Sequence, residues 1–296
     1  MKFLRRIASR LSRPTGEKAV ANPPATTARP AGVLNDRYLT AAPSEQNALD
    51  IFAGEWSSKF APPFSELKAG SVPMFEDHRI HWFASEIGGF QQQQVLELGP
   101  LEGAHSYMLD RMGAQSVTAI ESNTHAYLRC LITKEILGMP AVRFLCGDFM
   151  AYLRSPACPH YDIGLASGVL YHMIDPVELI CLLAEHCKTH LLLWTHHYDA
   201  TWAKTPAGQA RLTSTQPVEH AGFRCTLHRY EYGAALDWGG FCGGPRPHCY
   251  WMEREEILAC LRHFGFPHIR IGCDDPNHPH GPAFAVVASR KEAPGE

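Results

Sequence analysis

Two glycines and three acidic side chains occupy positions at which buried strands are expected to end. Gly99 ends the apolar segment 94–99 and Gly103 follows it, Glu121 lies at the end of the apolar segment 116–122, and Asp148 ends a third such segment, 142–148. Glu97 lies within the first segment, two residues before its end. Ligands of open parallel sheets bind at the carboxyl ends of the strands, so these side chains are expected to lie around one ligand.

The first strand-to-helix turn argues against a phosphate-rich ligand. The dinucleotide-binding pattern G-x-G-x-x-G/A needs its middle glycine so that the backbone can approach a pyrophosphate closely. Gly99 and Ala104 fit the first and last positions of that pattern, but the middle position is Leu101. Glu97 and Glu102 are also expected to place negative charge near the phosphates.

The same residues suit a ligand with a cationic end, a ribose and an adenine. Glu97 suits an ammonium group, and Glu121 suits a pair of ribose hydroxyls, as acidic residues do in dinucleotide folds. Asp148 suits the adenine amino group, and the two glycines keep the turn close to the ligand. S-adenosylmethionine contains all three parts.

The elements that must position these residues alternate along the chain. Apolar strands and amphipathic helices follow one another from about residue 94 to residue 196, which predicts a parallel sheet with helices on both faces. One helix is predicted to turn Leu128, Leu131, Ile132 and Ile136 inward. A last helix at 252–266 precedes two strands joined by a turn, so the sheet is predicted to end in an antiparallel hairpin.

With these motifs in order, the chain resembles class I S-adenosylmethionine-dependent methyltransferases over about residues 75–290. The first family motif is matched by Glu97-Leu98-Gly99 and Gly103, although Pro100-Leu101-Glu102 departs from the small residues common there. The fourth-strand motif is matched by YDIGLASGVLYHMIDP, residues 161–176. The resemblance implies a Rossmann-like α/β fold with a seven-stranded, mostly parallel sheet in the order 3-2-1-4-5-7-6, and S-adenosyl-L-methionine as cofactor. The implied cofactor-binding residues are Glu97, Gly99, Pro100, Gly103, Glu121, Ser122, Asp148, Phe149 and Ser167.

Three histidines are candidate general bases. His172 follows the fourth strand, and His196 and His197 end the fifth. A base is needed only if the acceptor must lose a proton during methyl transfer. Each histidine has an alternative interpretation, in which its ring holds a backbone carbonyl and has no catalytic role. Glu121 and Asp148 likewise have an alternative as capping acids at strand ends.

A long insertion at about 199–250 separates the fifth strand from the last helix, and we expect it to cover the substrate. Its aromatic residues suit the face of a ring or a sugar, or else pack the insertion onto the domain. They are Trp202, Phe223, Tyr230, Tyr232, Trp238 and Phe241. Trp56 is a candidate to close the pocket from the other side, with packing beside the first helix as its alternative.

Composition separates a tail from the domain. Residues 1–37 carry a net charge of +6, whereas the 296-residue chain as a whole carries −3. Residues 1–35, a basic segment followed by a Pro/Ala-rich linker, are expected to be disordered, and residues 36–296 to form one domain. The apolar face of residues 1–13 permits weak peripheral membrane contact, with a plain basic tail as the alternative.

The sequence offers little support for a metal site or for a secreted protein. Ten cysteines without a CxxC pair suggest reduced thiols and a cytoplasmic protein. Cys242, His248 and Cys249 form no complete zinc pattern, so no metal is expected.

We therefore expect methyl transfer to a small-molecule acceptor. The stretch GVLYH also resembles the carboxymethyl transferases of the tRNA wobble uridine, but the chain after residue 37 lacks a basic cluster for RNA, so no nucleic-acid partner is expected. A non-catalytic cofactor-binding scaffold is a further alternative, and a dehydrogenase is disfavoured by Leu101. The sequence does not indicate an oligomeric state.

Overall fold

The computed structural model describes residues 38–237, 241 and 243–291. The chain divides into two units, Met1–Pro43 and Ser44–Glu296. In the first unit only residues 38–43 are described, and they form neither helix nor strand. The basic segment 1–13 and the linker therefore lie outside the described residues, and the domain boundary at residue 36 stays a prediction.

A seven-stranded sheet forms the centre of the second unit. Its order is β3-β2-β1-β4-β5-β10-β9. The first five strands are parallel, and β10 runs antiparallel to both β5 and β9. The predicted sheet order and terminal hairpin are therefore confirmed. The strands are β1 (Gln94–Leu98), β2 (Ser116–Glu121), β3 (Val142–Cys146), β4 (Tyr161–Ser167), β5 (Cys187–His196), β9 (His268–Asp275) and β10 (Ala283–Ser289).

Helices cover both faces of this sheet, because alternate side chains of the strands enter two different cores. Along β10, Phe284 and Val286 enter a core shared with α6 and α8, whereas Ala285 and Val287 enter a core shared with α2, α3 and α4. Strands buried on both faces are apolar throughout, which explains the nearly continuous apolar runs in the sequence. The helices are α1 (Glu45–Asp50), α2 (His78–Ile87), α3 (Ala104–Arg111), α4 (Thr124–Leu137), α5 (Phe149–Leu153), α6 (Pro176–His186), α7 (Pro206–Gln209) and α8 (Arg254–His263).

The predicted inward face of α4 is wrong for Leu128 and Leu131, whereas Ile132 and Ile136 pack against the core. Leu128 and Leu131 are 44% and 39% exposed, and Ile132 and Ile136 are only partly buried. The buried side chains of α4 are instead Ala126, Arg129, Cys130, Thr133 and Leu137. Arg129 lies on this face with Glu55 and the buried Glu102 as ion-pair partners, so a charged side chain occupies a buried position that an apolar pattern cannot reveal.

The insertion forms a second sheet. The strands β6 (Leu212–His220), β7 (Phe223–Glu231) and β8 (His248–Trp251) pair antiparallel in the order β6-β7-β8. Several of its aromatic rings pack on each other, since Trp202 and Tyr230 both stack on Trp251. Phe223 is buried against Phe264, and Trp238 lies outside the described residues. Within residues 38–237, 241 and 243–291, no helix is long and apolar enough to span a membrane.

Candidate functional site

A cavity of about 1520 Å³ lies at the carboxyl ends of the central strands. Gly99 follows β1, Glu121 ends β2, Ser167 ends β4 and Trp194 lies near the end of β5, and all four residues line it. This is the edge at which open parallel sheets bind ligands, because the strand order changes direction between β1 and β4.

The turn after β1 depends on its two glycines. Gly99 and Gly103 have φ angles of 62° and 79°, a region that favours glycine. A Cβ atom on Gly103 would lie 2.9 Å from Cζ of Phe144, and one on Gly99 would lie 3.1 Å from Cγ2 of Val169. Gly99 and Pro100 line the cavity, whereas Gly103 begins α3 behind it. Gly103 therefore shapes the turn through its backbone.

Glu121 presents a buried carboxylate to the cavity. Its Oε2 accepts a hydrogen bond from the backbone N–H of Leu101 at 3.1 Å, and its Oε1 accepts one from that of Asn123 at 2.8 Å. Burial raises the pKa of Glu121, although these backbone donors act in the opposite direction. Each oxygen keeps further acceptor capacity, so the side chain can accept two hydrogen bonds from a ligand.

The two acidic residues of the first turn do not line the cavity. Ser106 Oγ donates to Glu97 Oε2, and burial raises the pKa of Glu97. Glu102 accepts hydrogen bonds from the backbone N–H groups of Ser57 and Ser58 at 2.8 and 2.7 Å. The expectation that Glu102 places charge near a ligand is therefore wrong, because its carboxylate is used to hold the segment before α2. The cofactor role of Glu97 stays a prediction.

The other predicted cofactor residues lie together in the lining. Ser122, Asp148, Phe149 and Ser167 all line the cavity. Asp148 also caps α5, since its Oδ1 accepts from the backbone N–H of Met150 at 2.8 Å. The hydroxyl of Ser167 is buried and has no hydrogen-bond partner within the described chain. An unpaired buried hydroxyl is unfavourable, so a ligand that bonds to it would gain affinity.

The three candidate bases differ in position. His172 lies in a 3₁₀ turn, Leu170–His172, and lines the cavity. His196 is hydrogen-bonded at Nδ1 to the carbonyl oxygen of Gly281 at 2.8 Å, and His197 to that of Tyr198 at 3.0 Å. Neither His196 nor His197 lines the cavity. Of the three histidines, only His172 therefore lines the cavity. His196 and His197 are hydrogen-bonded to backbone carbonyl oxygens, as expected for histidines without a catalytic role.

Comparisons with solved structures place the chain among known folds. The N-terminal domain of EvdMO1, solved in the presence of S-adenosylhomocysteine and D-fucose, matches with a TM-score of 0.64 at 20% identity, covering 83% of this chain and 95% of that chain. The same domain solved with S-adenosylhomocysteine alone matches equally. Magnesium protoporphyrin IX methyltransferase from Synechocystis PCC 6803, with bound S-adenosylhomocysteine, matches with a TM-score of 0.47 at 17% identity, covering 73% of this chain and 81% of that chain. The chain has the Rossmann-like fold of S-adenosylmethionine-dependent methyltransferases. No protein-family model and no curated protein sequence matches it.

A cluster of charged side chains in the cavity lining was not predicted from the sequence. Asp77 bonds to Nε2 of His105 at 2.8 Å and to Nε of Arg79 at 2.9 Å, and all three residues line the cavity. Burial acts to raise the pKa of Asp77, but the bonds to His105 and Arg79 lower it overall. The guanidinium of Arg79 also lies 4.5 Å from the centre of the Trp194 ring. Asp77 directly precedes α2 and caps it. This capping position is the local sequence feature from which a role for Asp77 could have been inferred.

Two other predicted features have structural roles or fall outside the description. Trp56 is 8% exposed, donates from Nε1 to the carbonyl oxygen of Leu49 at 2.9 Å, and does not line the cavity. This is the packing interpretation of Trp56. Cys242 lies outside the described residues, and the described side chains contain no group of three or more His, Cys, Asp or Glu placed to hold a metal ion.

Burial of His196 predicts a pH-dependent stability. Burial, with the nearby His278 and His280 acting in the same direction, lowers the pKa of His196 to about 4. Its unfolded value is about 6.5, so this contribution is complete above pH 6.5 and is lost as the pH falls toward 4. We expect it to remove on the order of 1.4 kcal/mol of unfolding free energy per pH unit between pH 6.5 and 5.

Urea titrations at pH 6.5 and 5 measure this contribution. The His196→Gln variant should lose less stability on acidification than the wild type, by about 2 kcal/mol over this interval. His81→Gln, at an exposed position of α2, is the matched control and should follow the wild type. An unchanged pH dependence in His196→Gln would contradict the lowered pKa.

Proposed function

We propose that the protein transfers a methyl group from S-adenosylmethionine to a small-molecule acceptor. The observation that carries this proposal is the buried Glu121 carboxylate, which faces a cavity at the switch point of a fold known with S-adenosylhomocysteine bound. A carboxylate held by two backbone N–H groups at the end of β2 fits the two hydroxyls of a ribose.

The remaining lining residues fit the rest of the cofactor. Asp148 and Phe149, after β3, suit an adenine through a hydrogen bond and ring contact, and the unpaired hydroxyl of Ser167 suits a polar group near the end of β4. The turn at Gly99 and Pro100 follows β1, which lies between β2 and β4 in the sheet. When bound, the cofactor supplies a methyl group on a good leaving group, so the chain's own task is chiefly alignment and exclusion of water.

The size of the cavity supports a second ligand beside the cofactor. Pockets for single small ligands usually measure about 300–1,000 Å³, and this cavity is larger. Besides the cofactor residues, the cavity is lined by Arg79, Trp194, Phe241, Arg246 and His278. This mixture of rings, cations and imidazoles suits a polar small molecule. The similar EvdMO1 domain was solved in the presence of D-fucose, which makes a sugar hydroxyl one acceptor to test.

Cofactor binding is the first test of the proposal. Saturation with S-adenosylhomocysteine at 100 times its dissociation constant should stabilise the protein by about 2.7 kcal/mol, measured as a rise in melting temperature. Glu121→Ala should weaken binding by about 1.5–3 kcal/mol, because charge-assisted hydrogen bonds to the ribose are lost. Isothermal titration calorimetry measures this difference directly.

The matched control is Glu219→Ala, at an exposed carboxylate of β6, which should bind like the wild type. Stabilisation by NAD and by neither sulfur ligand would instead indicate a dehydrogenase and overturn the proposal.

Acceptor class is tested with methyl-labelled S-adenosylmethionine. D-fucose, catechol and glycine serve as alcohol, phenol and amine probes, and unmodified tRNA tests the carboxymethyl transferase alternative. Label transfer to a small acceptor supports the proposal. Tight cofactor binding without transfer to a broad metabolite extract would favour the scaffold alternative.

A further inference from the structure

The insertion is hydrogen-bonded to His172, one of the residues that line the cavity. The hydroxyl oxygen of Tyr232, which follows β7, lies 2.7 Å from Nδ1 of His172 and 2.8 Å from the carbonyl oxygen of Gly243. His172 lines the cavity, whereas Tyr232 does not. The insertion therefore contacts a candidate base from behind.

The chemistry of these three groups assigns the proton on each nitrogen of His172. A carbonyl oxygen only accepts hydrogen bonds, so the single hydroxyl proton of Tyr232 is donated to Gly243. The Tyr232 oxygen must then accept from His172, which requires a proton on Nδ1. Because a neutral imidazole has one N–H, Nε2 of His172 carries the lone pair.

Both side chains are held in the charge states that this arrangement needs. Burial lowers the pKa of His172 to about 3, with His196 adding to the effect, so the imidazole is neutral at physiological pH. Burial raises the pKa of Tyr232, so the phenol keeps the proton that it donates.

The position of Tyr232 is fixed from several directions. Its carbonyl oxygen accepts from Nη1 of Arg211 at 2.9 Å, and its N–H donates to the carbonyl oxygen of Pro247 at 3.2 Å. The ring is 4% exposed and meets Phe241 edge to face at 4.8 Å between centroids. Gly243 packs tightly over the histidine, since a Cβ atom on it would lie 3.0 Å from Nδ1 of His172.

We propose that Tyr232 is a positioning residue, whose hydroxyl fixes His172 in the Nδ1–H tautomer so that Nε2 accepts the proton of a hydroxyl acceptor. This proposal rests on the proposed function. The acceptor oxygen bonds to the methyl carbon while the carbon–sulfur bond breaks, the sulfur keeps that electron pair, and the hydroxyl proton passes to Nε2.

The charge balance of this step suits a buried site. The products are a methyl ether, a neutral thioether and an imidazolium, so one positive charge leaves the sulfur and one arrives on His172. The cavity therefore carries the same net charge before and after transfer. Its Tyr232 contact then becomes a charge-assisted hydrogen bond, which is stronger than the neutral one.

Nuclear magnetic resonance tests the tautomer without any acceptor. In full-length protein labelled with ¹⁵N-histidine, two-bond correlations between ring nitrogens and carbons distinguish Nδ1–H from Nε2–H imidazole. The His172→Gln variant identifies the signals of His172 by their disappearance. We expect the Nδ1–H form in wild type, both alone and saturated with S-adenosylhomocysteine, and a shift toward Nε2–H in Tyr232→Phe.

Steady-state kinetics tests the consequence for turnover with the acceptor probe that is methylated fastest. Tyr232→Phe should lower kcat about tenfold and leave KM within about twofold. The reason is that the variant disturbs the tautomer of the base, His172, and removes no contact that binds the acceptor. Tyr198→Phe, which removes a hydroxyl from the same aromatic cluster, is the matched control and should behave as wild type.

The outcomes separate this proposal from the proposed function. An Nε2–H tautomer in wild type, or an unchanged tautomer and kcat in Tyr232→Phe, would overturn the role of Tyr232 even if methyl transfer is observed. Failure to bind S-adenosylhomocysteine would overturn the proposed function, and the tautomer measurement would still decide whether Tyr232 fixes the imidazole.

Discussion

Replacing His172 by glutamine is expected to lower the single-turnover rate of methyl transfer about 100-fold and to leave S-adenosylhomocysteine affinity nearly unchanged. Loss of a general base typically reduces rates 10²–10⁴-fold. We expect the lower end of that range, because burial lowers the pKa of His172 to about 3 and makes it a weak base. The glutamine amide can still donate to Tyr232, so the variant removes the basic nitrogen and keeps the hydrogen bond.

The matched control is His263→Gln, at a histidine of α8 that does not line the cavity. Rapid-quench measurements at saturating donor and acceptor separate the chemical step from product release. A rate within a few-fold of wild type would reject His172 as the base. It would also transfer the question to His196 and His197, which would then have to reach the acceptor by a rearrangement.

The pH profile of the wild-type rate provides a second measure of the same group. The neutral imidazole is the active form, so the rate falls only as the pH falls through about 3. The profile should therefore be flat between pH 5 and pH 8. An inflection near pH 6.5 would show a histidine in its ordinary environment, contrary to the buried position of His172.

The sequence was sufficient for the features that depend on neighbouring residues in the chain. Gly99 and Gly103 adopt the positive φ angles of the turn, and Glu121 ends β2 facing the cavity. Each of these signals is local, because a strand end, a turn and a helix start lie within a few residues of one another. The hairpin of β9 and β10 is local in the same sense.

Features that depend on distant partners were not accessible. Glu102 is separated by 45 residues from Ser57 and bonds to its backbone N–H, so its burial could not be inferred from the turn in which it lies. The bond between Asp77 and His105 spans 28 residues. His172 and Tyr232, which are 60 residues apart, meet because the insertion packs against the turn Leu170–His172. Side-chain partners across such separations are set by packing, which a single sequence does not display.

The ion pair behind the first turn is expected to be the most sensitive point for stability. Arg129 is 2% exposed, and its Nε lies 3.6 Å from Oε1 of the fully buried Glu102. Its Nη1 also donates to the carbonyl oxygen of Glu55 at 2.8 Å. Replacing Arg129 by methionine keeps the apolar stem but leaves the Glu102 charge buried without its cation. Removing one partner of a buried pair typically costs about 3–5 kcal/mol.

Urea denaturation of Arg129→Met measures this loss, and two further variants show its cause. Arg129→Met/Glu102→Gln should recover part of the stability, because the remaining amide is neutral and its oxygen can still accept from one of the Ser57 and Ser58 N–H groups. Arg224→Met, which breaks an exposed pair with Glu219, should change stability by less than about 1 kcal/mol. If Arg129→Met were as mild as Arg224→Met, the orientation of α4 would have to come from its apolar contacts. If the double variant were no better than the single one, the loss would come from the packing of the arginine stem and its bond to Glu55, and not from the unpaired charge of Glu102.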